Sequence, residues 1–361
     1  MRLLVAAAAL GIIVSSCSSM PDASVATPAP PPSTITRPAA NKQGDRPVLL
    51  RSLPEAGAFV TSFVPVWRYD GRQQTIDFPL SVPDPLEHPA PAGGLVAIER
   101  QTQTPGRYLV STELAIRDRR GGPERTLYHA PAIFYWSGWS PDGRYVALWE
   151  VDFFSGSIDL DGRPLVVIDV TTGERFDAGR TLLHGTTAWS PPHTLALVAG
   201  RGRDVWMEKT LRLWTPETGT RDVSPIGTAA VAPVWSADGR SLYFVGGPAG
   251  QYDPLPFFAG RAIGDRRISV YDLANGTIRS FAHEPGYVEE GARPSRDKSR
   301  MLVLRRRTVQ AADLVSIPDA PLEVWLTDAE GAHGTALVRV ANIGFGYYGW
   351  YPGPSEWNWS E

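Results

Sequence analysis

The segment Trp139-Ser140-Pro141-Asp142-Gly143-Arg144 leads into an apolar-rich run over 145–149, and Trp235-Ser236-Ala237-Asp238-Gly239-Arg240 leads into another over 242–245. A third copy, Trp189-Ser190-Pro191-Pro192, precedes 195–198, and a degenerate fourth, Pro294-Ser295-Arg296-Asp297-Lys298, precedes 301–304. The starts at 139, 189, 235 and about 293 lie 50, 46 and about 58 residues apart, the period of a four-stranded blade with loop insertions. Each unit has a second half with its own turn. The runs 165–170, 211–214, 268–273 and 322–326 are followed by Thr171-Thr172-Gly173-Glu174, Pro216-Glu217-Thr218-Gly219, Ala274-Asn275-Gly276 and Ala329-Glu330-Gly331. A glycine there supplies the positive φ of a tight hairpin, and the flanking runs alternate as strands do, with no helical period. Two hairpins make one blade. A lone blade would expose both faces, so stacking around an axis must bury them. The expected fold is all-β, a β-propeller of five or six four-stranded blades, with Trp139, Trp189 and Trp235 packed between blades.

Composition agrees with that class. Of 361 residues, 43% are hydrophobic and 20% charged, with 35 Gly, 33 Pro and aromatics at 10%. Such a chain can build a core, and its turn and β formers argue against a helical bundle. A net charge of −3 lacks the basic field that neutralises a phosphate backbone, which excludes nucleic acid as a partner class.

The chain opens with Met1 and Arg2, an apolar run over 3–14, then Ser15, Ser16 and Cys17. Twelve apolar residues are short for a membrane span but suit an export signal. Residues 1–16 are therefore expected to be a cleaved signal peptide. Val14-Ser15-Ser16-Cys17 resembles the bacterial lipobox, which implies lipid attachment at Cys17. That residue is the only cysteine, so no intrachain disulfide can form and its thiol is open to acylation. Ser18, rather than an aspartate, follows it; resemblance to the sorting rule of Gram-negative lipoproteins implies the periplasmic face of the outer membrane. Residues 17–47 carry Pro21, Pro28, Pro30, Pro31, Pro32, Pro38 and Pro47 among small polar residues and read as a disordered tether, with a reach on the order of 30 Å. The propeller is expected over 48–361, with 48–92 an extension or an extra blade.

The repeated Trp-Ser-Pro-Asp-Gly unit resembles the WD40-like repeat of TolB-like periplasmic proteins and of the propeller domains of prolyl-oligopeptidase-type enzymes, over roughly 93–361. In TolB-like proteins an α/β domain precedes the propeller, where this sequence has the tether and about 45 residues of ambiguous pattern, and no Gly-x-Ser-x-Gly elbow of the peptidases occurs in the sequence. The run Gly344-Phe345-Gly346-Tyr347-Tyr348-Gly349-Trp350-Tyr351-Pro352-Gly353, ending in Trp357 and Trp359, reads as the first hairpin of a further blade. Residues 107–127 are expected to supply its other half, closing the ring by pairing of N- and C-terminal segments.

If the strands of a blade run outward from the axis, the tight turns lie on one face and the long connections between second and third strands on the other. Those connections, roughly 152–164, 200–210, 246–267 and 305–321, hold Phe153, Phe154, Trp206, Tyr252, Phe257 and Phe258 with Arg201, Arg203, Arg261, Arg266, Arg267, Arg305, Arg306 and Arg307. Aromatic residues and arginine with few lysines suit a protein-contact surface. The resulting expectation is a membrane-anchored periplasmic interaction module whose partner is a periplasmic or outer-membrane protein. A second expectation is a metal-dependent lyase or hydrolase in which His129, His184 and His283 converge at the channel mouth on a divalent metal; some lyases with similar propellers use such a centre. A third is a glycan-binding propeller using Tyr347, Tyr348, Trp350 and Trp357. No nucleophile paired with a base and no phosphate-cradling loop is legible, so enzymatic activity has no motif behind it and no catalytic residue or resident cofactor is assigned.

Overall fold

The computed structural model describes residues 66–69, 74–77, 85–103, 109–151, 162–181, 185–200, 209–225, 227–248, 266–281, 284–307 and 322–340. All regular structure among them is antiparallel β. A short hairpin, β1 (Val66–Tyr69) with β2 (Gln74–Asp77), stands as its own sheet. Among the described residues, five four-stranded units follow it. The first blade is β3 (Leu86–Pro89), β4 (Leu95–Gln103), β5 (Leu109–Asp118) and the leading part of β6 (Arg125–Trp139). The rest of β6 opens the second, with β7 (Tyr145–Val151), β8 (Arg163–Asp169) and β9 (Arg175–Thr181). The third is β10 (Thr187–Ser190), β11 (Thr194–Ala199), β12 (Thr210–Thr215) and β13 (Gly219–Asp222). The fourth is β14 (Thr228–Trp235), β15 (Ser241–Pro248), β16 (Arg267–Asp272) and β17 (Ile278–Ser280). The fifth is β18 (Tyr287–Pro294), β19 (Arg300–Arg307), β20 (Leu322–Asp328) and β21 (Thr335–Val340).

Because β6 serves two blades without a break, and Ala199 pairs with Thr181, the first three blades are joined by continuous hydrogen bonding. First strands touch first strands, β10 with β14 and β14 with β18, which makes them the inner strands of a β-propeller.

The strand period of two explains the core. Along β7, Tyr145, Ala147, Trp149 and Val151 enter a cluster shared with the third blade, where they meet Leu195, Leu197 and Trp214. The intervening Val146 and Leu148 enter the cluster shared with the first blade, with Ala97, Leu114 and Phe134. The same alternation puts Ala196 and Val198 against Leu242 and Phe244 of the fourth blade, and Tyr243 against Ala292 and Val303 of the fifth. The core is therefore a series of apolar layers, one between each pair of neighbours.

One expectation is corrected. Residues 109–118 and 125–130 do form a hairpin, but its inner partner is 95–103, which pairs in turn with 86–89. Residues 107–127 are thus spoken for within the first blade and do not complete a C-terminal hairpin. The first blade starts at Leu86, inside the stretch expected to be an extension or an extra blade, where Pro89-Ala90-Pro91-Ala92-Gly93-Gly94 takes the place of the tryptophan motif: Ala90 N–H donates to Leu95 O at 3.0 Å as Ser140 N–H donates to Tyr145 O at 2.9 Å. The expected ring closure through 341–361 lies outside the described residues.

Candidate functional site

The turns after the inner strands show why the repeat is spelled as it is. The Ser140 hydroxyl donates to Asp142 Oδ1 at 2.6 Å and accepts the Tyr145 N–H at 2.9 Å, while Asp142 Oδ1 also accepts the Arg144 N–H at 3.1 Å. Ser236 with Asp238 and Ser295 with Asp297 repeat the arrangement, each with its hydroxyl-to-carboxylate bond at 2.6 Å. Serine and aspartate thus satisfy the backbone of a turn between buried strands. Their carboxylates answer to it. Burial works against the charge of Asp142, but the Ser140 hydroxyl, His193 and the Arg144 N–H hold it below the usual carboxylate range. The Ser295 hydroxyl and the Ser299 N–H bring Asp297 down to about 2.

The same turns lock each blade to the one before it, by two devices that alternate. Between blades one and two, the Trp139 indole N–H donates to His88 O at 2.8 Å, and Gly143, at φ +70°, sits where an added Cβ would meet Ala92 O at 2.5 Å. Between three and four, Trp235 donates to Ala188 O at 3.0 Å, and a Cβ on Gly239 would meet Ser190 Oγ at 2.5 Å. The other two joints place a basic side chain where those glycines stand. His193 Nδ1 lies 2.8 Å from Asp142 Oδ2, and Lys298 Nζ lies 2.6 Å from Asp238 Oδ2. At the first of these the indole N–H of Trp189 has no hydrogen-bond partner among the described residues; at the second Pro294 replaces tryptophan. Where the preceding turn offers an aspartate the next blade presents a basic side chain, and where it offers Ala92 or Pro192 the next blade presents glycine. This face is closed by short, cross-bonded turns.

The opposite edge is built differently. The ends of β4, β7, β11, β15 and β19 and the starts of β5, β8, β12, β16 and β20, which flank the connections of the chain there, lie on this one edge. Three successive blades bury a cation where the third strand begins: Arg163, Lys209 and Arg266 are 5%, 0% and 4% exposed. Arg266 forms a two-pronged ion pair with Glu290 of the fifth blade's inner strand, and Arg305 pairs with Glu289 at 3.4 Å while donating to Gly331 O. Buried charges of this kind persist only when paired.

Two expected contact residues are thereby corrected. Arg266 is enclosed by its pair with Glu290 and is not a surface contact, and Arg305 lies inside β19, fully buried, rather than in a connection. Arg267, by contrast, is exposed at the start of β16. Phe153, Phe154, Trp206, Tyr252, Phe257 and Phe258 lie outside the described residues, as do Cys17, His184, His283 and the terminal aromatic run. His129 is on the outer strand of the first blade, exposed, 3.4 Å from Glu113, and not in a connection at a channel mouth. Among the described residues no group of three His, Cys, Asp or Glu side chains is placed to hold a metal ion.

Sequence reading missed two sets of residues. Third strands end on Asp118, Asp169, Asp272 and Asp328, each accepting backbone N–H groups of the turn that follows. An aspartate three to four residues ahead of each turn glycine was the visible signal. The other is a buried pair in the first blade: the His88 ring lies 2.8 Å from Glu99 and stacks on Trp136 at 4.2 Å, and no local pattern marks it.

No protein-family model and no curated protein sequence matches the chain. Solved structures do resemble it. TolB from Acinetobacter baumannii is 16% identical, with a TM-score of 0.38 over 68% of this chain and 53% of that one. The oligogalacturonate lyase of Vibrio parahaemolyticus is 11% identical, with a TM-score of 0.45 over 80% of this chain and 78% of that one. The β-propeller domain of the Trilobed protease from Pyrococcus furiosus is 13% identical, with a TM-score of 0.39 over 71% of this chain and 70% of that one. At these identities only fold is at issue, and on its own strand pairing this chain is a β-propeller of antiparallel four-stranded blades.

Proposed function

We propose that this protein is a lipid-anchored periplasmic interaction module that binds a protein partner through the rim of long connections. The observation that carries the reading is the inequality of the two faces. One is closed by short turns bonded blade to blade, whereas every connection between second and third strands leaves from the other. Long segments held at fixed intervals by a rigid scaffold are the usual place for recognition. The buried cations at that edge anchor the strand ends from which the segments depart. In sequence those segments concentrate phenylalanine, tryptophan, tyrosine and arginine, the residue types that dominate binding energy between proteins. Cys17 and the proline-rich stretch behind it would hold the domain near a membrane, raising its effective concentration for a partner there.

The test uses full-length protein produced with its own leader. Cys17→Ser is expected to move the protein from the membrane fraction to the soluble periplasmic fraction. A triple substitution of Phe154, Trp206 and Phe258 by alanine is expected to keep it at the membrane but lose the protein that copurifies with it. Retention of that protein by the triple variant would reject the rim as the contact surface.

A further inference from the structure

The joint between the second and third blades differs from the other three in the chemistry of its lock. Its tryptophan, Trp189, finds no acceptor for its indole N–H among the described residues, so the bond to the preceding blade that Trp139 and Trp235 make is missing. What ties the turns together instead is His193. Its Nδ1 lies 2.8 Å from Asp142 Oδ2 of the preceding blade, and its Nε2 lies 3.7 Å from Glu217 Oε1 in the outer turn of its own blade. The ring is set edge-on to Tyr145 at 5.2 Å. Arg144, beside Tyr145, is committed to Asp169 at 3.0 Å, so the groups facing the imidazole are two carboxylates and a phenol. At the equivalent place in the fifth blade stands Lys298, whose Nζ lies 2.6 Å from Asp238 Oδ2.

From this geometry we infer that the joint between blades two and three is a pH-sensitive lock, fastened when His193 is protonated between Asp142 and Glu217 and loosened when it is neutral. The signs oppose each other on the two sides. A neutral imidazole keeps one donor and loses its charge, so the attraction to Asp142 and Glu217 fades when the ring gives up its proton. Asp142 has a carboxyl lowered below its ordinary value, and its share is lost as pH falls through the carboxylate range. The joint is therefore tightest in mildly acidic solution. The joint at Lys298 shares only the acid limb.

Hydrogen exchange of the folded full-length protein, corrected for the intrinsic pH dependence of amide exchange, tests this by location. Between pH 6 and pH 8, amides of 187–199 are expected to lose protection by up to about fivefold, the equivalent of one partly exposed ion pair. Amides of 287–307, at the lysine joint, are expected to hold theirs. His193→Lys is expected to abolish the response at 187–199, and Asp142→Asn to leave that region equally open at both values. Equal responses at the two joints of the unaltered protein would overturn the inference, and so would a response that survives in His193→Lys. The comparison within the unaltered protein decides the matter even if a variant does not fold.

Discussion

Trp235 donates its indole N–H to the carbonyl of Ala188 at 3.0 Å, across the joint between the fourth blade and the third. The bond explains why a large aromatic with a donor stands at the end of an inner strand: the ring fills the layer between blades and the N–H satisfies a backbone carbonyl of the neighbour. Trp139 does the same for the second blade and Trp189 does not for the third. Phenylalanine in place of Trp139 or Trp235 is expected to cost about 1 kcal/mol more in denaturant unfolding than phenylalanine in place of Trp189, since only the first two lose a made hydrogen bond. Equal costs at the three positions would show that the indole bonds contribute nothing.

Glycines of the turns should rank by what surrounds them. Gly143 and Gly239 combine positive φ with close contact to the preceding blade, whereas Gly173, at φ +78°, has nothing within 4 Å. Alanine at 173 meets only backbone strain, of about 1–2 kcal/mol. Alanine at 239 must also displace the Ser190 hydroxyl, which can rotate, and alanine at 143 meets the carbonyl of Ala92, which cannot. Thermal unfolding should order the variants Gly143→Ala, Gly239→Ala, Gly173→Ala from most to least damaged.

Arg266 belongs to the scaffold and not to the contact surface. Arg266→Ala removes a buried ion-pair partner of Glu290 and is expected to destabilise the protein by about 3–5 kcal/mol, whereas replacing both partners with methionine is expected to recover most of that loss. Arg267→Ala, one residue on and exposed, is expected to leave the unfolding midpoint within experimental scatter.

Acid should weaken the turn face first. Lys298, followed by the Ser236 hydroxyl, holds Asp238 well below the usual carboxylate range. A carboxylate depressed in the folded state contributes stability above its unfolded value, near 4, and loses it as pH falls further. Asp238→Asn should therefore be less stable than the unaltered protein at pH 7, with the gap closing below about pH 4; a gap that stays constant through that range would remove the carboxylate from the explanation.

Much of this architecture is written locally. The hairpins around Asp142-Gly143 and Asn275-Gly276 follow from turn chemistry within a few residues, and the two-residue alternation of β7 identifies both of its apolar layers. The first blade was hidden because its inner turn, Ala90 to Gly94, keeps the backbone bond of the motif while dropping the tryptophan, serine and aspartate that make the motif visible. Once those 86–103 residues are counted in, the hairpin at 109–130 has its partner. The burial of Arg266 was equally hidden, since its partner Glu290 comes from the inner strand of the next blade, which sequence spacing alone does not bring near, whereas Arg305 faces Glu289 directly across the β18–β19 hairpin. Charge at a loop boundary reads as surface until the element packed against it is known.

Site-specific photo-crosslinking in living cells reads out the contact surface most directly. A photoreactive residue is placed at Phe154, Trp206 or Phe258 on the rim of long connections, or at Glu174, Arg240 or Asn275 on the turn face. Covalent adducts to one protein from the rim positions, with none from the turn face, are the predicted result. Adducts confined to the turn face would contradict it.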